Sequence, residues 1–366
     1  MTEPTGEHRS RRVRRVRHRA PPLRSRGVTS NDIGFRVHAP GRVNLIGEHT
    51  DYTGGLAFPM AIDRGVTLTG EPRSGAIHLT SDDADGALDL ALPFDDAPSD
   101  VAPEWGSFVA GMAQQLAATQ GFSGHVTSNI PAGAGLSSSA ALECAVGLAL
   151  GFDGTPLQLA QIARRAEHAA TGVPTGIMDQ FCIAAAVEGH ATLIDCGALT
   201  VEQVPVPDEI DIVVRFVAHR TLRGSPYSDR VDECARAEAQ IGPLRNATLD
   251  DVARITDEPT RRRAHHVVTE NERVRAFSAA LHRADFATAG ALMTASHDSL
   301  ATDFEVSTDR MDAAVAALRS TRGVFGARMT GGGFGGCVVA MAEPGALREG
   351  WKVRASAGAR VLRPDE

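Results

Sequence analysis

Hydrophobic and polar residues are most regularly spaced between residues 155 and 172, where they predict an amphipathic helix. Thr155 is a suitable N-cap, Pro156 stands in the first turn and Gly172 follows the last helical position. Apolar residues from Leu157 to Ala166 recur on one side of this segment, as expected for a helix that packs against a core. The sequence therefore marks both the start and the end of this helix.

The rest of the chain mixes strand patterns and helical patterns in irregular order. Strands are expected at residues 35–39, 66–70, 76–80, 126–130, 191–195, 210–218, 328–330 and 338–341, with a loop at 40–41 after the first. Helices are expected at residues 105–119, 140–151, 177–187, 229–241, 249–255, 261–283, 286–301 and 308–319. Because this order lacks the regular βαβ rhythm of a doubly wound sheet, it predicts an α+β fold. We expect an N-terminal lobe at residues 31–200, a C-terminal lobe at residues 201–366 and a ligand site in the cleft between them.

Length and composition are those of a soluble globular protein. The chain has 366 residues, of which 43% are hydrophobic and 22% are charged, and this is enough for two packed lobes. No apolar run is long enough to cross a bilayer, and the Arg-rich start is not followed by the apolar stretch of a secretory signal. We therefore expect a cytoplasmic monomer that has no membrane partner.

Charge is unevenly distributed between the N-terminal segment and the body of the chain. Residues 1–30 hold nine arginines against Glu3 and Glu7, a net charge of +7, so the total of −8 leaves −8 − 7 = −15 on the remainder. An acidic body argues against nucleic-acid binding as its main function. The basic segment is either an arm for nucleic acid or anionic surfaces, or a disordered extension. Its composition cannot form a core, which favours disorder.

The lysine and cysteine residues disfavour several classes of protein. Lys352 is the only lysine, and no Walker-type glycine-rich loop precedes it, which argues against P-loop NTPases and protein kinases. The five cysteines are widely spaced and form no CxxC pair. This spacing argues against a disulfide framework or a zinc site.

The segment PAGAGLSSSA, residues 131–140, has the features of a polyphosphate-binding loop. Gly133 and Gly135 allow a tight turn with exposed N–H groups, and Ser137 to Ser139 supply hydroxyls. The predicted helix that follows would add its unsatisfied N–H groups and its positive dipole end. The alternative for this segment alone is a flexible turn with serine caps.

Two further segments are chemically unusual. MTGGGFGGC, residues 329–337, is too rich in glycine for a good helix or strand, so it indicates close approach of a ligand or another loop, unless it is a linker. Residues 39–52 carry Arg42, Glu48, His49 and Asp51 within a short distance of one another. Carboxylates and an imidazole at this density can hydrogen-bond a polyol, although an exposed polar loop would have a similar composition.

These segments resemble known kinase motifs. GRVNLIGEHTDY, residues 41–52, resembles the galactokinase signature, and GIMDQF at 176–181 is also similar to galactokinases. PAGAGLSSSA and MTGGGFGGC resemble the second and third motifs of the wider GHMP kinase family, named for galacto-, homoserine, mevalonate and phosphomevalonate kinases. The matches occur in the expected order between about residues 35 and 340.

The resemblance implies a two-lobed α+β kinase that phosphorylates the C1 hydroxyl of galactose with ATP and Mg²⁺, at the start of galactose catabolism. It implies that Asp179 is the base and that Arg42 stabilises the transferring phosphoryl group. The sugar contacts implied are Glu48, His49, Thr50, Asp51, Gly176, Asp179 and Tyr227. The triphosphate contacts implied are Gly133, Ala134, Gly135, Leu136, Ser137, Ser138 and Ser139.

The remaining expectations concern the metal and adenine. Ser139 and Glu167 match the family's magnesium ligands, and Ser81 is an adenine candidate by position only. Two other functions stay open: a kinase of the same family for galacturonate, arabinose or N-acetylgalactosamine, and a sensor that binds ATP and sugar without turnover. A sensor should show damage in the phosphate loop or at the base, and both are intact here.

Overall fold

The computed structural model describes residues 34–131, 133–219 and 225–363. The strands are β1 Phe35–Asn44, β2 Leu56–Ala57, β3 Pro59–Ser74, β4 Ala76–Ser81, β5 Leu88–Ala91, β6 Gln120–Ser128, β7 His190–Asp195, β8 Thr200–Pro205, β9 Asp211–Ala218, β10 Val324–Thr330, β11 Gly336–Ala342, β12 Trp351–Val353 and β13 Arg360–Val361. The helices are α1 Gly106–Gln115, α2 Ser138–Ala149, α3 Pro156–Thr171, α4 Met178–Ala185, α5 Tyr227–Ile241, α6 Leu249–Val252, α7 Glu258–His282, α8 Phe286–Thr302 and α9 Asp309–Arg319. The basic segment at residues 1–30, for which we predicted disorder, lies outside the described residues.

The strands of the described chain form three sheets. A six-stranded sheet has the order β13-β1-β3-β6-β4-β5, a four-stranded sheet has the order β10-β11-β9-β12, and β2, β7 and β8 form a third. Pairing is antiparallel except between β4 and β6. Helices and strands are mixed without a βαβ rhythm, so the predicted α+β class is confirmed.

The helix predicted from its end signals is confirmed in detail. The Thr155 side chain accepts a hydrogen bond from the Gln158 N–H group, and the Gln158 side-chain oxygen accepts one from the Thr155 N–H group, which makes a capping box. Gly172 ends α3 with a φ of 71°, a left-handed conformation that favours glycine. These local contacts fix where α3 begins and ends.

The loop predicted at residues 40–41 is wrong, because β1 continues through it with a shift of register between Pro40 and Arg42. A side chain at Gly41 would place its Cβ 2.7 Å from the Leu136 carbonyl oxygen. The glycine therefore lets the segment before α2 approach β1, where the Arg42 N–H group donates to the same oxygen at 3.0 Å. The irregularity in β1 brings Arg42 beside the phosphate loop.

The core joins the two predicted lobes. One cluster of buried residues lies against the six-stranded sheet and α1 to α4, and extends to Val214, Val339 and Met341 of the four-stranded sheet. A second cluster packs α5, α7 and α9 on β10 and β11. Near the C-terminus, β13 returns to pair with β1. No helix within the described ranges is long and apolar enough to cross a membrane.

Candidate active site

An ion pair between Arg42 and Asp179 lies at the centre of the site. The Arg42 guanidinium donates from Nε to Asp179 Oδ1 at 2.7 Å and from Nη2 to Oδ2 at 2.6 Å, so the pair is bidentate. Arg42 is almost fully buried, whereas the Asp179 side chain keeps 29% of its surface exposed. Burial alone would lower the pKa of Arg42, but the Asp179 carboxylate raises it. A fixed positive charge therefore stands next to a partly open carboxylate.

Three elements hold this pair in place. Arg42 follows the bulge of β1, and Asp179 lies in the first turn of α4, where a carboxylate is favoured by the helix dipole. Arg42 Nη1 donates to the Gly135 carbonyl oxygen at 2.8 Å, and the Ser137 hydroxyl donates to Asp179 Oδ2. The ion pair is thus tied directly to the segment predicted to bind phosphate.

That segment, residues 133–139, is called the phosphate loop here. Gly133 and Gly135 have φ values of 68° and 72°, and Ser137 adopts the left-handed region with a φ of 63°. Helix α2 begins at Ser138 directly after this turn. Its first N–H groups have no partner within the helix, so this end of α2 can bind an anion.

The signature loop, residues 47–56, forms another wall. The side chains of Glu48, His49 and Asp51 line the cavity. Glu48 Oε1 accepts from the Gly331 N–H group at 2.6 Å, and this bond ties the signature loop to the segment 329–337. Burial, reinforced by the nearby Asp179 charge, raises the pKa of Asp51 to about 6.

Gly176 is placed against Asp51. A Cβ at Gly176 would lie 1.8 Å from Asp51 Oδ2, a distance that no side chain could occupy without displacing the carboxylate. Asp51 Oδ2 also accepts a long hydrogen bond of 3.4 Å from the Met178 N–H group. The absence of a side chain at Gly176 therefore leaves room for the observed position of Asp51.

Tyr227 enters the cavity from the first turn of α5 and completes an aromatic group with the signature loop. Its ring centroid lies 5.4 Å from that of His49 and 6.0 Å from that of Tyr52. Phe304 packs on the His49 ring, with the two ring centroids 4.6 Å apart. His49 is held in a left-handed backbone conformation, with a φ of 60°, inside this group.

Three of the residues singled out from the sequence do not line the cavity. The Thr50 hydroxyl is buried and donates to the carbonyl oxygens of Gly47 and Leu56, so it supports the backbone of the signature loop. Ser81 ends β4, where its hydroxyl accepts from the Asp83 N–H group. Ala134 is buried within the phosphate loop.

Ser139 and Glu167, the pair suggested for magnesium, lie together. Ser139 Oγ is 3.4 Å from Glu167 Oε1, and both residues line the cavity. The other carboxylate oxygen, Oε2, accepts from Thr175 Oγ1 at 2.7 Å and from Gln180 Nε2 at 2.9 Å. Burial raises the pKa of Glu167, so a cation beside it would offset the cost of its charge.

The cavity enclosed by these groups has a volume of about 300 Å³ and is lined from both halves of the chain. Gly331 and Gly332 contribute backbone from the segment 329–337, as the glycine content suggested. Several lining residues carried no recognisable sequence signal: Glu104, Ser107, Phe108, Thr171, Val173 and Thr175. Phe108 and Val173 give part of the wall an apolar character.

Family models match three parts of the chain. These are the galactokinase galactose-binding signature at residues 28–72, the GHMP kinases N terminal domain at 107–188 and the GHMP kinases C terminal region at 277–352. Among solved structures, the galactokinase of Lactococcus lactis complexed with galactose superposes with a TM-score of 0.84 at 31% identity, covering 90% of this chain and 96% of that one. The mevalonate kinase of Methanococcus jannaschii, at 21% identity and a TM-score of 0.62, shares the fold. Fold and phosphate loop together define a GHMP kinase.

Curated relatives narrow the assignment. Galactokinase of Bos taurus is 42% identical over 329 residues, covering 85% of this chain and 84% of that protein. Galactokinase of Mycobacterium tuberculosis is 41% identical over 330 residues, covering 85% and 90%. The chain belongs to the galactokinase family. The predicted GHMP-type fold and the predicted class, an ATP-dependent sugar kinase, are confirmed.

Proposed function

We propose that this enzyme transfers the γ-phosphoryl group of ATP to the C1 hydroxyl of galactose, with Asp179 as the base and Arg42 as the stabilising cation. The observation that carries the proposal is the bidentate Arg42–Asp179 pair, which is bonded to the phosphate loop and lines the same cavity as the signature loop. Transfer of a phosphoryl group to a sugar hydroxyl is accelerated by a base that takes the hydroxyl proton and by a cation that stabilises the developing negative charge.

In this mechanism the proton of the C1 hydroxyl passes to the Asp179 carboxylate. The sugar oxygen forms a bond to the γ-phosphorus, the bond from that phosphorus to the oxygen bridging to the β-phosphate breaks, and ADP leaves. Negative charge spreads over the equatorial oxygens of the transferring group. The Arg42 guanidinium is already fixed by Asp179 and Gly135, so it stabilises that charge without reorganisation.

The two loops would hold the two substrates. The phosphate loop presents backbone N–H groups and the N-terminus of α2 to the triphosphate. Glu48, His49 and Asp51 would bind sugar hydroxyls from the signature loop, with Tyr227 covering the sugar from α5. Thr50 acts in this account by shaping the loop, because both of its hydroxyl contacts are to backbone carbonyls.

Ser139 and Glu167 would hold a magnesium ion. Their oxygens suit a hard cation, and magnesium in kinase sites needs only one or two protein ligands besides phosphate and water. The described residues contain no group of three or more His, Cys, Asp or Glu side chains that could hold a metal. When bound, the ion would supply positive charge that offsets the negative charge of the triphosphate.

We further infer that a single copy of the chain is sufficient for the reaction and that it acts in the cytoplasm. Support for the first point is that the candidate base, the cation, the phosphate loop and the signature loop of one chain line the same cavity. Gel filtration combined with activity across a dilution series tests it. A loss of specific activity on dilution would show that a second copy is needed.

The test of the proposed function is ADP release measured with a panel of sugars under the same ATP and magnesium concentrations. We expect galactose to be preferred over glucose by about 10²-fold in kcat/KM, because an equatorial C4 hydroxyl leaves buried polar groups unpaired. Equal values for the two sugars would contradict galactose specificity. A preference for galacturonate, arabinose or N-acetylgalactosamine would assign a related sugar instead, and binding without ADP release would indicate a sensor.

A further inference from the structure

A second row of polar residues lies behind the signature loop, on helix α7. His266, Glu270 and Asn271 are buried; His266 and Glu270 are four residues apart on one helix face, and Asn271 directly follows Glu270. Each contacts the backbone of the signature loop, more than 200 residues away in sequence. None of them lines the cavity.

The contacts fall at both ends of the loop. At the first end, the His266 ring donates from Nε2 to the Glu48 carbonyl oxygen at 3.1 Å, and Glu270 Oε1 accepts from the Gly47 N–H group at 2.9 Å. At the second end, Asn271 Oδ1 accepts from the Leu56 N–H group at 2.7 Å. The loop is therefore held by three hydrogen bonds from a single helix.

Two glycines let the loop approach α7 this closely. A Cβ at Gly47 would lie 2.9 Å from Val274 Cγ2, and one at Gly55 would lie 2.6 Å from Asn271 Oδ1. Gly47 also has a φ of 94°, which favours glycine. The sequence of the loop is thus matched to α7 as well as to the cavity.

The three side chains are themselves fixed from behind by α7 and α8. Glu270 accepts from the Ser296 hydroxyl at 2.5 Å and from Arg273 Nε at 2.6 Å. Burial alone would raise the pKa of Glu270, but Arg273 foremost, with Arg328 and the hydrogen bond from Ser296, holds it at about 2, so the acceptor is a carboxylate. Burial lowers the pKa of His266 to about 4, so its ring is neutral.

His266 also contacts the signature loop indirectly, because Phe304 packs between its ring and that of His49. Its ring centroid lies 4.6 Å from that of Phe304, and Phe304 lies 4.6 Å from His49. His49 is a non-glycine residue with a φ of 60°, a conformation that persists only where the surroundings impose it. The Glu48 carbonyl bond fixes the peptide directly before His49.

We propose that His266, Glu270 and Asn271 are positioning residues that hold the signature loop in its sugar-binding conformation, so that α7 sets the affinity for the sugar without touching it. This inference rests on the proposed role of the signature loop. Loosening the loop should weaken sugar binding and leave ATP binding unchanged, because all three bonds go to residues 47–56 and none goes to the phosphate loop.

The test uses the full-length enzyme with His266→Ala, which removes the donor, and His266→Gln, whose amide can restore it. His282→Ala is the matched control, since His282 lies on the same helix and bonds the Ser278 carbonyl within α7. Hydrogen–deuterium exchange of residues 47–56 is measured without substrates. Exchange should rise by about tenfold or more in His266→Ala, return toward wild type in His266→Gln and stay unchanged in His282→Ala.

Kinetics of the same proteins give the second readout. The KM for galactose should rise by about tenfold in His266→Ala with the KM for ATP unchanged. Unchanged exchange in residues 47–56 overturns the inference, as does faster exchange with an unchanged galactose KM. If His266→Ala does not fold, Asn271→Ala applies the same test at the other end of the loop. Failure of the proposed function would instead appear as wild-type enzyme that does not phosphorylate galactose, while the exchange result still decides whether α7 holds the loop.

Discussion

Replacing Gly176 with alanine tests the position of Asp51 with one methyl group. The added Cβ would lie 1.8 Å from Asp51 Oδ2 and 2.0 Å from Cγ, whereas real Cβ contacts essentially never fall below 3.0 Å. Gly176 is not among the residues with positive φ, so alanine fits the backbone and the clash is confined to the carboxylate. Asp51 must therefore move by roughly 1 Å or more, and a displacement of that size can cost about 10²-fold in rate.

The assay is steady-state kinetics for galactose and for ATP, together with the melting temperature. We expect kcat/KM for galactose to fall by about 10²-fold while the KM for ATP stays close to wild type. Gly189→Ala is the control, because Gly189 has a φ of 73° and nothing within 4 Å, so alanine should cost stability there without changing kinetics. If Gly176→Ala keeps galactose kinetics within about threefold of wild type, Asp51 does not need its observed position to bind the sugar.

Three further predictions concern single groups of the site. Arg42→Lys should lower kcat by at least about tenfold, because one ammonium cannot reproduce the two bonds to Asp179 and the bond to Gly135; wild-type ADP release would make Arg42 a structural residue. Glu167→Gln should raise the magnesium concentration needed for half-maximal activity, and should weaken Mn²⁺ binding measured by electron paramagnetic resonance in the presence of ATP. Unchanged titrations would show that Glu167 is not a magnesium ligand. Burial raises the pKa of Asp51 to about 6, so its carboxylate can accept hydrogen bonds above that pH and is protonated below it. We therefore expect kcat/KM for galactose to fall as the pH drops through about 6. An identical inflection in Asp51→Asn would show that another group causes it.

Elements with local signals were predictable from the sequence, and those that depend on distant partners were not. The ends of α3 are encoded by Thr155, Pro156 and Gly172, whose cap contacts are all within the segment. Strand β5 at Leu88–Ala91 was missed because four residues carry too little alternation to stand out. Strand β13 was missed for the same reason, since it is two residues long and exists by pairing with β1.

The candidate site shows the same division. The motifs indicated Arg42, Asp179 and the phosphate loop, and the structure brings these together. Thr50 belongs to the signature motif, yet its hydroxyl bonds backbone carbonyls, a distinction that requires coordinates. His266 had no signal at all, because a polar residue in a predicted helix is ordinarily solvent-exposed, and only the fold shows that it is buried against Glu48.

The most direct test of the proposed mechanism is to incubate galactose and ATP with the wild-type enzyme or with Asp179→Asn, and to monitor the amount and identity of the product by ³¹P NMR. Asparagine keeps the size of the side chain and one oxygen acceptor for Arg42, but it cannot take the proton. We expect the wild-type product to carry phosphate on C1, and we expect Asp179→Asn to lose about 10²–10⁴-fold in turnover at a matched folded fraction. Turnover of Asp179→Asn within about threefold of wild type would contradict the role of Asp179, and phosphate on any other hydroxyl would contradict the proposed reaction.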